Sequence, residues 1–307
     1  MNIFNKTPSF DFMSKRKLAM VLSLVLLTVS IASLTIRGLN LGVDFTGGTL
    51  IEVGYEADAK LDEIRSVLGE VGFSEAIVQH FGSNKEVLIR VAPKEGLTSA
   101  KISSNILQAL EGAELKRVEF VGPQVGDELT EDGGLAMLIS LFFILIYVAI
   151  RFEKRFAVGS IAALIHDVII VLGFFSLTQV EFGLPVLAAV LAVIGYSLND
   201  TIVVFDRIRE NFLKIRKKDT EQIINISLNE TLTRTVITSL TTLLVLIALY
   251  FFGGEILRPF ALALIAGVII GTYSSMYVAS TSALALGVSK EDLMPVEREG
   301  AEIDDMP

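Results

Sequence analysis

Six long apolar stretches dominate the pattern of hydrophobic and polar positions along the chain. They cover residues 18–36, 134–150, 157–178, 184–205, 235–252 and 260–286. A membrane-spanning helix needs about 20 mostly apolar residues, and each stretch is close to that length. The first stretch exceeds the apolar core of a cleaved signal peptide, about 7–15 residues, so we expect a retained anchor. The pattern predicts an α-helical integral membrane protein with six transmembrane helices.

Basic residues are distributed unequally over the loops. Thirteen Lys and Arg residues lie in the N-terminal arm and after the second and fourth stretches, whereas the two short loops of the other side hold only Arg258. Because Lys and Arg accumulate on the cytoplasmic side, we expect both termini there. The predicted divisions are a cytoplasmic N-terminal arm (1–17), the first span (18–36), a periplasmic domain (37–133), a bundle of five spans (134–287) with a cytoplasmic segment (206–230), and an acidic cytoplasmic tail (288–307).

The segment between the first two spans has the pattern of a small α+β domain. Alternating apolar positions predict strands, and apolar positions at helical spacing predict helices. The strands are expected at 49–55, 76–81, 86–92 and 114–121, the helices at 58–71 and 99–110, and a hairpin turn at 82–84. The order β-α-β-β-α-β is typical of a ferredoxin-like fold. With no cysteine and one histidine, such a domain is better suited to a binding surface than to an active site.

Composition narrows the function classes. Of the 307 residues, 52% are hydrophobic, none is Cys and two are His, and the mean hydropathy is +0.61. The absence of Cys excludes a disulfide scaffold and a Cys-ligated zinc or iron–sulfur site, and two histidines argue against a His-rich metal site. The net charge of −9 argues against a nucleic-acid binder. We therefore predict no enzyme activity, no cofactor and no metal.

Two glycine-rich pieces flank the predicted domain, GVDFTGG after the first span and VGPQVG before the second. Their residues of interest are Asp44, Gly47, Gly48, Gly122, Pro123 and Gly126. No Lys-Ser or Lys-Thr pair follows the first piece, which excludes a phosphate-binding loop. One interpretation is a hinge or docking surface at the membrane boundary. The other is ordinary turn chemistry, which the spacing alone favours.

Charged residues inside the apolar stretches are the strongest candidates for chemistry, because a charge within the hydrocarbon is costly and marks either a function or a structural pair. Asp200, next to Asn199 in the fourth stretch, and Arg234, at the entry of the fifth, are expected at similar depth because their helices run in opposite directions. Burial disfavours a charged carboxyl and a nearby arginine favours it, so a carboxyl balanced between the two can take up and release a proton. The alternative is a static Asp–Arg pair that fixes helix register.

Two further polar features lie in the spans. His166 and Asp167 lie near the middle of the third stretch. A metal pair of the kind found in HD phosphohydrolases would need more ligands, so we expect a buried polar contact between helices, with a secondary role in proton relay. Hydroxyl groups share one face of the fifth span and either line a wet path or bond to neighbouring helices. They belong to Thr231, Thr235, Thr238 and Thr242.

Small residues repeat every fourth position in the sixth stretch and allow close helix contact. They are Ala263, Gly267, Gly271, Ser275, Ala279 and Ala283. The fourth stretch has a shorter series, Ala188, Ala192 and Gly195. We expect both series to pack within the bundle, and a partner subunit is the alternative.

Five longer segments of the chain stand out as motifs. They are LNLGVDFTGGTLIEV at 39–53, GPQVG at 122–126, GYSLNDTIVVFDRIREN at 195–211, LTRTVITSLTTLLVL at 232–246 and FALALIAGVIIGTYSS at 260–275. Together they resemble the signature segments of the SecF family of bacterial protein-export membrane subunits. The resemblance covers residues 10–286 without a departure inside the motifs, and the tail beyond residue 286 lacks a family pattern.

This resemblance implies membership of the resistance–nodulation–division (RND) superfamily, whose transporters have twelve spans and a large external domain after the first span of each half. Six spans and one such domain would be half of that machine, with SecD as the other half. The family uses the proton-motive force at the SecYEG channel of the inner membrane to pull preproteins into the periplasm, after the motor SecA has pushed them. The resemblance places the proton-carrying Asp on Asp200 and its partner Arg on Arg234.

Two other function classes stay open. One is an RND-type exporter of small molecules or lipids, against which the single compact domain argues. The other is a structural translocon subunit in which Asp200 only packs. The coupling ion is either a proton or Na⁺, because a membrane carboxylate with nearby hydroxyls binds both. Membrane lipid is an expected partner and nucleic acid is not.

Overall fold

The computed structural model describes residues 9–94, 96–215 and 217–289. The first eight residues, the predicted acidic tail from residue 290 onward, and Arg216 of the basic loops lie outside the described residues. A 3₁₀ turn, Met13–Lys15, precedes the other elements. In chain order these are α1 (Arg16–Ile36), α2 (Val43–Thr46), β1 (Gly48–Gly54), α3 (Leu61–Glu70), β2 (Ile77–Phe81), β3 (Ser83–Val91), α4 (Ser99–Ala109), β4 (Glu114–Val121), α5 (Pro123–Arg151), α6 (Lys154–Thr178), α7 (Leu184–Lys214), α8 (Thr220–Phe252), α9 (Gly254–Ser274), a π-helical segment (Ser275–Ala279) and α10 (Ser280–Ala285).

Six helical segments of the described chain are long and apolar enough to cross a membrane, which confirms the predicted number. They are α1, α5, α6, α7, α8 and the continuous run from α9 to α10. Several helices are longer than their apolar stretches: α5 begins at Pro123, α7 continues to Lys214, and α8 begins at Thr220. Much of the predicted segment 206–230 is therefore helical. Hydropathy marks only the part of a helix that matches the hydrocarbon, whereas backbone hydrogen bonding continues into polar sequence.

Local sequence signals account for where the long helices begin. Pro123 is the first residue of α5 and follows Gly122, and proline is favoured there because its missing N–H would have no partner inside the helix. The Oδ1 of Asp219 accepts a hydrogen bond from the N of Gln222 at 2.8 Å and caps α8. α7 begins after Gly183, which has no side chain to cap it.

The sheet domain, residues 48–121, is a four-stranded antiparallel sheet with strand order β2-β3-β1-β4. Ile51, Val53 and Ile89 on one face of the sheet form a completely buried core with Leu68 of α3 and Ile106 of α4. This order and packing confirm the ferredoxin-like arrangement. The hairpin between β2 and β3 is tighter than the predicted loop 82–84, because β3 already begins at residue 83.

The small residues of the sixth span face the interior of the bundle. Ala263, Ala279 and Ala283 are completely buried, and a side chain added at Gly267 would overlap Val193 of α7. The same series includes Gly271 and Ser275. A Cβ on Gly271 would lie 3.0 Å from the Cβ of Ser197, and Ser275 is also completely buried. The series therefore lets α9 lie directly against α7.

The shorter series in the fourth span does not pack in this way. Ala188, Ala192 and Gly195 lie with Asn199 on an exposed side of α7, which we call the open face. In the described part of the chain, no atom lies within 4 Å of the position of a Cβ on Gly195. The expectation that Gly195 packs within the bundle is therefore corrected, because α9 contacts α7 at Val193 and Ser197 instead. Contact with a partner subunit, the alternative, stays a prediction.

Candidate functional site

A closed hydrogen-bond network surrounds His166 and Asp167 in the interior of the bundle, where their exposed fractions are 3% and 1%. The Oδ1 of Asp167 lies 2.9 Å from the Nδ1 of His166. Its Oδ2 accepts hydrogen bonds from Ser197 of α7 and, at 2.6 Å, from the Oγ of Ser274 in α9. The Nε2 of His166 lies 3.2 Å from the Oγ of Ser23 in α1. These contacts join four helices, and the proton-relay role stays a prediction.

Tyr273 extends this network. Its hydroxyl lies 2.9 Å from the Oγ of Ser23 and donates to the carbonyl O of Ala19 at 2.6 Å. Tyr273 directly precedes Ser274 and the π-helical segment, and π turns are frequent at functional sites. The sequence pattern did not reveal Ser23, Ser197, Tyr273 or Ser274. The available signal was the occurrence of Ser and Tyr inside otherwise apolar stretches.

Asp200 lies in a contrasting environment. Its side chain is 5% exposed, and its Oδ2 has no hydrogen-bond partner among the described residues. Arg234 of α8 is exposed and lies near enough to act on the Asp200 carboxyl electrostatically. Within the part of the chain that the structure describes, no ion pair within 4 Å joins the two side chains. The structure therefore brings Asp200 and Arg234 into the same region, with Asn199 beside them on the open face, without forming a static salt bridge.

The threonine stripe of α8 is used mostly within its own helix. Thr231, Thr238 and Thr242 donate to the carbonyls four residues earlier, at 3.0, 3.0 and 2.8 Å. Thr235 is buried, and its Oγ1 has no partner among the described residues. A hydrogen bond to a neighbouring helix comes instead from a residue outside the stripe. The Oγ of Ser239 lies 2.6 Å from the Oγ1 of Thr272 in α9.

The first glycine-rich piece connects the sheet domain to α7. Asp44 lies in α2, and its Oδ2 accepts a hydrogen bond at 2.8 Å from the N of Leu184, the first residue of α7. A Cβ on Gly183 would lie 2.9 Å from that Oδ2. Asp44 thus supplies from a distant part of the chain the cap that Gly183 lacks. Its negative charge also lies at the positive end of the helix dipole.

The two glycine-rich pieces pack against each other. Gly47 and Gly48 have φ of +64° and +125°, which only glycine adopts readily. A Cβ on Gly126 would lie 2.8 Å from the N of Gly47, and one on Gly47 would lie 3.0 Å from the Cα of Pro123. Gly122 is the single residue between β4 and α5. The positive φ values fit turn chemistry and the close backbone approach fits docking, while the hinge stays a prediction.

A buried arginine ties the sheet to the loop that precedes α7. Arg90 of β3 is 7% exposed, and its guanidinium lies 3.6 Å from the Oε2 of Glu181 and donates to the carbonyl O of Leu41. The backbone continues the connection, because the N of Gly42 donates to the O of Phe182 at 3.0 Å. We call the contacts of Asp44 with α7 and of Arg90 with this loop the junction.

Glu181 is a partly buried carboxyl of the junction, with a side chain 24% exposed. Burial raises the pKa of Glu181 above its ordinary value, the nearby Arg90 opposes that rise, and the carboxyls of Asp44 and Glu119 add to it. The net rise means that burial and the two carboxyls outweigh the arginine. We therefore expect the stability of the junction to depend on pH.

Comparisons with known families agree with one another. The family described as "Protein export membrane protein SecD/SecF, C-terminal" matches residues 102–289. The family described as "SecD/SecF GG Motif" matches residues 32–59. The first match contains His166, Asp167, Asp200 and Arg234. The second contains Asp44 with the adjacent glycines.

Similar proteins cover the whole chain. "Protein translocase subunit SecF" of Vibrio alginolyticus is 53% identical, with 99% of each chain covered. The protein of the same description from Pseudomonas aeruginosa is 48% identical, with 100% of each covered. The crystal structure of SecDF, a translocon-associated membrane protein from Thermus thermophilus, matches with a TM-score of 0.84 at 40% identity over 91% of this chain. This chain spans 39% of that SecDF chain. A SecDF structure in a super-membrane-facing form matches with a TM-score of 0.70 at 40% identity over 92% of this chain and 39% of that one.

Replacing Asp44 by Ala removes the acceptor at the start of α7. We expect a cost of about 0.5–2 kcal/mol, typical of a lost N-cap, confined to the first turn of the helix. Hydrogen–deuterium exchange of the full chain in detergent should show faster exchange in residues 184–187. Asp44→Asn keeps an acceptor oxygen and should change exchange less. Equal exchange in the native and Asp44→Ala chains would contradict the cap.

Glu181 should make stability depend on pH. Because the folded chain holds a proton on Glu181 more tightly than the unfolded chain, its contribution is fully present below about pH 4.3, the ordinary glutamate pKa, and is lost as the pH rises through the raised value. Glu181→Gln removes this dependence. The free energy of unfolding, measured by denaturant titration in detergent, should fall more steeply with pH in the native chain over that range. Parallel pH profiles of the two chains would contradict the assignment.

Proposed function

The chain belongs to the SecD/SecF family of protein-export membrane proteins, and on this premise we propose that it works with SecD as a proton-driven subunit of the Sec machinery. In this proposal it promotes the late stage of preprotein translocation through SecYEG, after SecA has acted. It lies in the bacterial inner membrane with both termini in the cytoplasm and the sheet domain in the periplasm. The unequal distribution of basic residues supports this orientation.

The observation that carries the proposal is the unsatisfied carboxyl of Asp200. A buried charged group without a partner is strongly unfavourable, so proton binding is one of the few ways to relieve it. Both carboxyl oxygens of Asp167, one span away, take part in hydrogen bonds, whereas the Oδ2 of Asp200 has no hydrogen-bond partner among the described residues. Of these two intramembrane carboxyls, Asp200 is therefore the one with an oxygen that lacks a described hydrogen-bond donor, and it gains most from binding an ion.

Protonation of Asp200 would act on the helices through Arg234. With Asp200 charged, the Arg234 guanidinium is attracted to it; with Asp200 neutral, that attraction is lost and α7 and α8 are free to separate. One proton crossing 100 mV supplies about 2.3 kcal/mol, enough to bias such a two-state change. Because α7 begins at the Asp44 cap, its movement would be passed to the junction and the sheet domain.

The open face of α7 supports the proposed association with SecD. Small side chains at Ala188, Ala192 and Gly195 allow another helix to approach closely, and Asn199 offers a polar contact beside Asp200. Exposed Arg234 lies in the same region, and a charged side chain facing lipid is costly. A second subunit covering this face would shield the Asp200–Arg234 region from lipid. The coverage of 39% of a SecDF chain fits a protein that forms one part of that assembly.

The proposed coupling ion is the proton. A Na⁺ site needs several oxygen ligands around the ion, whereas three hydroxyls of the threonine stripe donate to their own helix. The fourth, of Thr235, is buried, has no partner among the described residues, and is the candidate that would favour Na⁺. No cofactor is needed for the proposed activity.

Asp200→Asn keeps the side-chain shape but does not exchange a proton. We expect the variant to fold and to associate with SecD, and to lose the gradient-stimulated part of preprotein export, so that rates with and without the gradient become equal. The measurement is preprotein translocation in membrane vesicles with an imposed proton gradient in sodium-free buffer, and separately with a sodium gradient.

Asp206→Asn is the matched control for this variant. Asp206 lies on the same helix at its polar end, where its Oδ2 lies 2.6 Å from the Nη2 of Arg151. This control should keep the stimulation. Normal stimulation in Asp200→Asn would contradict the proton role and favour a structural subunit that carries no ion. Stimulation of the native chain by a sodium gradient alone would show that Na⁺, and not the proton, is the coupling ion.

Gly195→Leu tests the open face. Because no described atom lies within 4 Å of its Cβ position, we expect the unfolding temperature of the single chain to be unchanged. Co-purification with SecD should be lost. Gly267→Leu should instead lower the unfolding temperature of the single chain, because the new side chain overlaps Val193. Gly69→Leu on α3, where the Cβ position is also open, is the control that should change neither. Retained co-purification in Gly195→Leu would place the partner elsewhere.

A further inference from the structure

The network around His166 and Asp167 needs more hydrogens for its hydrogen bonds than it would contain with a neutral histidine beside a charged aspartate. Its members lie on α1, α6, α7 and α9 and are buried. The contacts fix which atoms must donate, because one of the acceptors is a backbone carbonyl that carries no hydrogen. The number of hydrogens in the network can therefore be counted from the geometry.

The count begins at Tyr273. Its single hydroxyl hydrogen is donated to the carbonyl O of Ala19 at 2.6 Å. In the 2.9 Å contact between Tyr273 and Ser23, Ser23 must then be the donor. The only hydrogen of Ser23 is used there, so in the 3.2 Å contact with His166 the hydrogen must lie on the Nε2.

The other side of the ring also needs a hydrogen. The Nδ1 of His166 and the Oδ1 of Asp167 are 2.9 Å apart, and one of the two must carry the hydrogen between them. The Oδ2 of Asp167 already accepts from Ser197 and Ser274. The extra hydrogen therefore lies on the line between Nδ1 and Oδ1, either on the ring or on the carboxyl.

We infer that His166 and Asp167 form a proton-binding dyad that holds one proton more than a neutral imidazole beside a carboxylate. With that proton the dyad has no net charge, which suits two side chains with exposed fractions of 3% and 1% in the interior of a membrane bundle. Without it, the dyad carries one negative charge and the network is one hydrogen short. Either the contact of Ser23 with His166 or that with Tyr273 then breaks, and α1 loosens from α6 or α9.

Few other ionisable groups lie near the dyad. Tyr273 faces it from α9, and Tyr277 of the π-helical segment lies behind, with ring centroids 5.5 Å apart. From α1 and α7 the contacting residues are the uncharged Ser23 and Ser197. Asp200 lies three residues beyond Ser197, nearly one helical turn along α7.

The dyad is therefore a second proton site, close to Asp200, the proposed proton carrier. The inference deepens the proposed function by adding a proton site whose occupancy controls the contacts of α1. The hydrogen count itself does not depend on Asp200, so the dyad can be tested whether or not Asp200 carries an ion.

The test is the ¹⁵N resonance of the His166 ring in the full chain, reconstituted in lipid at neutral pH. The chain has two histidines, and a His80→Gln background leaves the His166 signal alone; His80 is exposed in the sheet domain. We expect the Nε2 to carry a hydrogen, in the native chain and equally in Asp200→Asn. A ring with a bare Nε2 and a hydrogen only on Nδ1 would overturn the inference.

Two variants in the same background check the count. Tyr273→Phe frees the hydrogen of Ser23 for the Nε2, so we expect loss of the Nε2 hydrogen. Ser176→Ala removes a contact between α1 and α6 of similar kind, the 2.8 Å pair of Ser33 and Ser176, away from the dyad. The ring should be unchanged in Ser176→Ala. An unchanged ring in Tyr273→Phe, or a changed one in Ser176→Ala, would contradict the assignment.

Discussion

The hydrocarbon interior of a membrane offers no water, so polar groups within the six spanning helices must find their partners in the protein. Most of those described do. Threonine hydroxyls of α8 donate to carbonyls of their own helix, and both carboxyl oxygens of Asp167 take part in hydrogen bonds. Asp200 departs from this rule, because it is buried and its Oδ2 has no described partner. This unmet requirement, rather than the fold, distinguishes the candidate site, since a carboxyl in that state gains from binding a proton.

Helix α7 connects the parts of the molecule. Its first residue, Leu184, is capped by Asp44 from the loop that leads into the sheet domain. Asp200 lies about 24 Å further along the same helix at the usual rise per residue. Between them, Val193 and Ser197 fit against the glycines of α9, and Ser197 reaches the dyad. In the proposed mechanism, a shift of α7 at Asp200 would therefore be passed directly to the dyad, to α9 and to the junction.

The periodic features of this chain were predictable from its sequence, and the contacts between distant segments were not. The six spans and the ferredoxin-like domain follow from apolar spacing, and β4 has the predicted bounds. The cap of α7 was not predictable, because Asp44 and Leu184 are 140 residues apart in sequence. The prediction that Gly195 packs within the bundle was wrong, because a series of small residues indicates close packing but does not identify the helix that approaches. Ser197 and Tyr273 were missed because single hydroxyls in apolar stretches have no distinctive spacing.

Infrared difference spectroscopy tests directly whether Asp200 exchanges a proton within the membrane. The native complex with SecD in lipid would be compared between acidic and alkaline pH. We expect a protonated-carboxyl band that disappears in Asp200→Asn and persists in Asp206→Asn. Identical difference spectra for the native and Asp200→Asn complexes would contradict it.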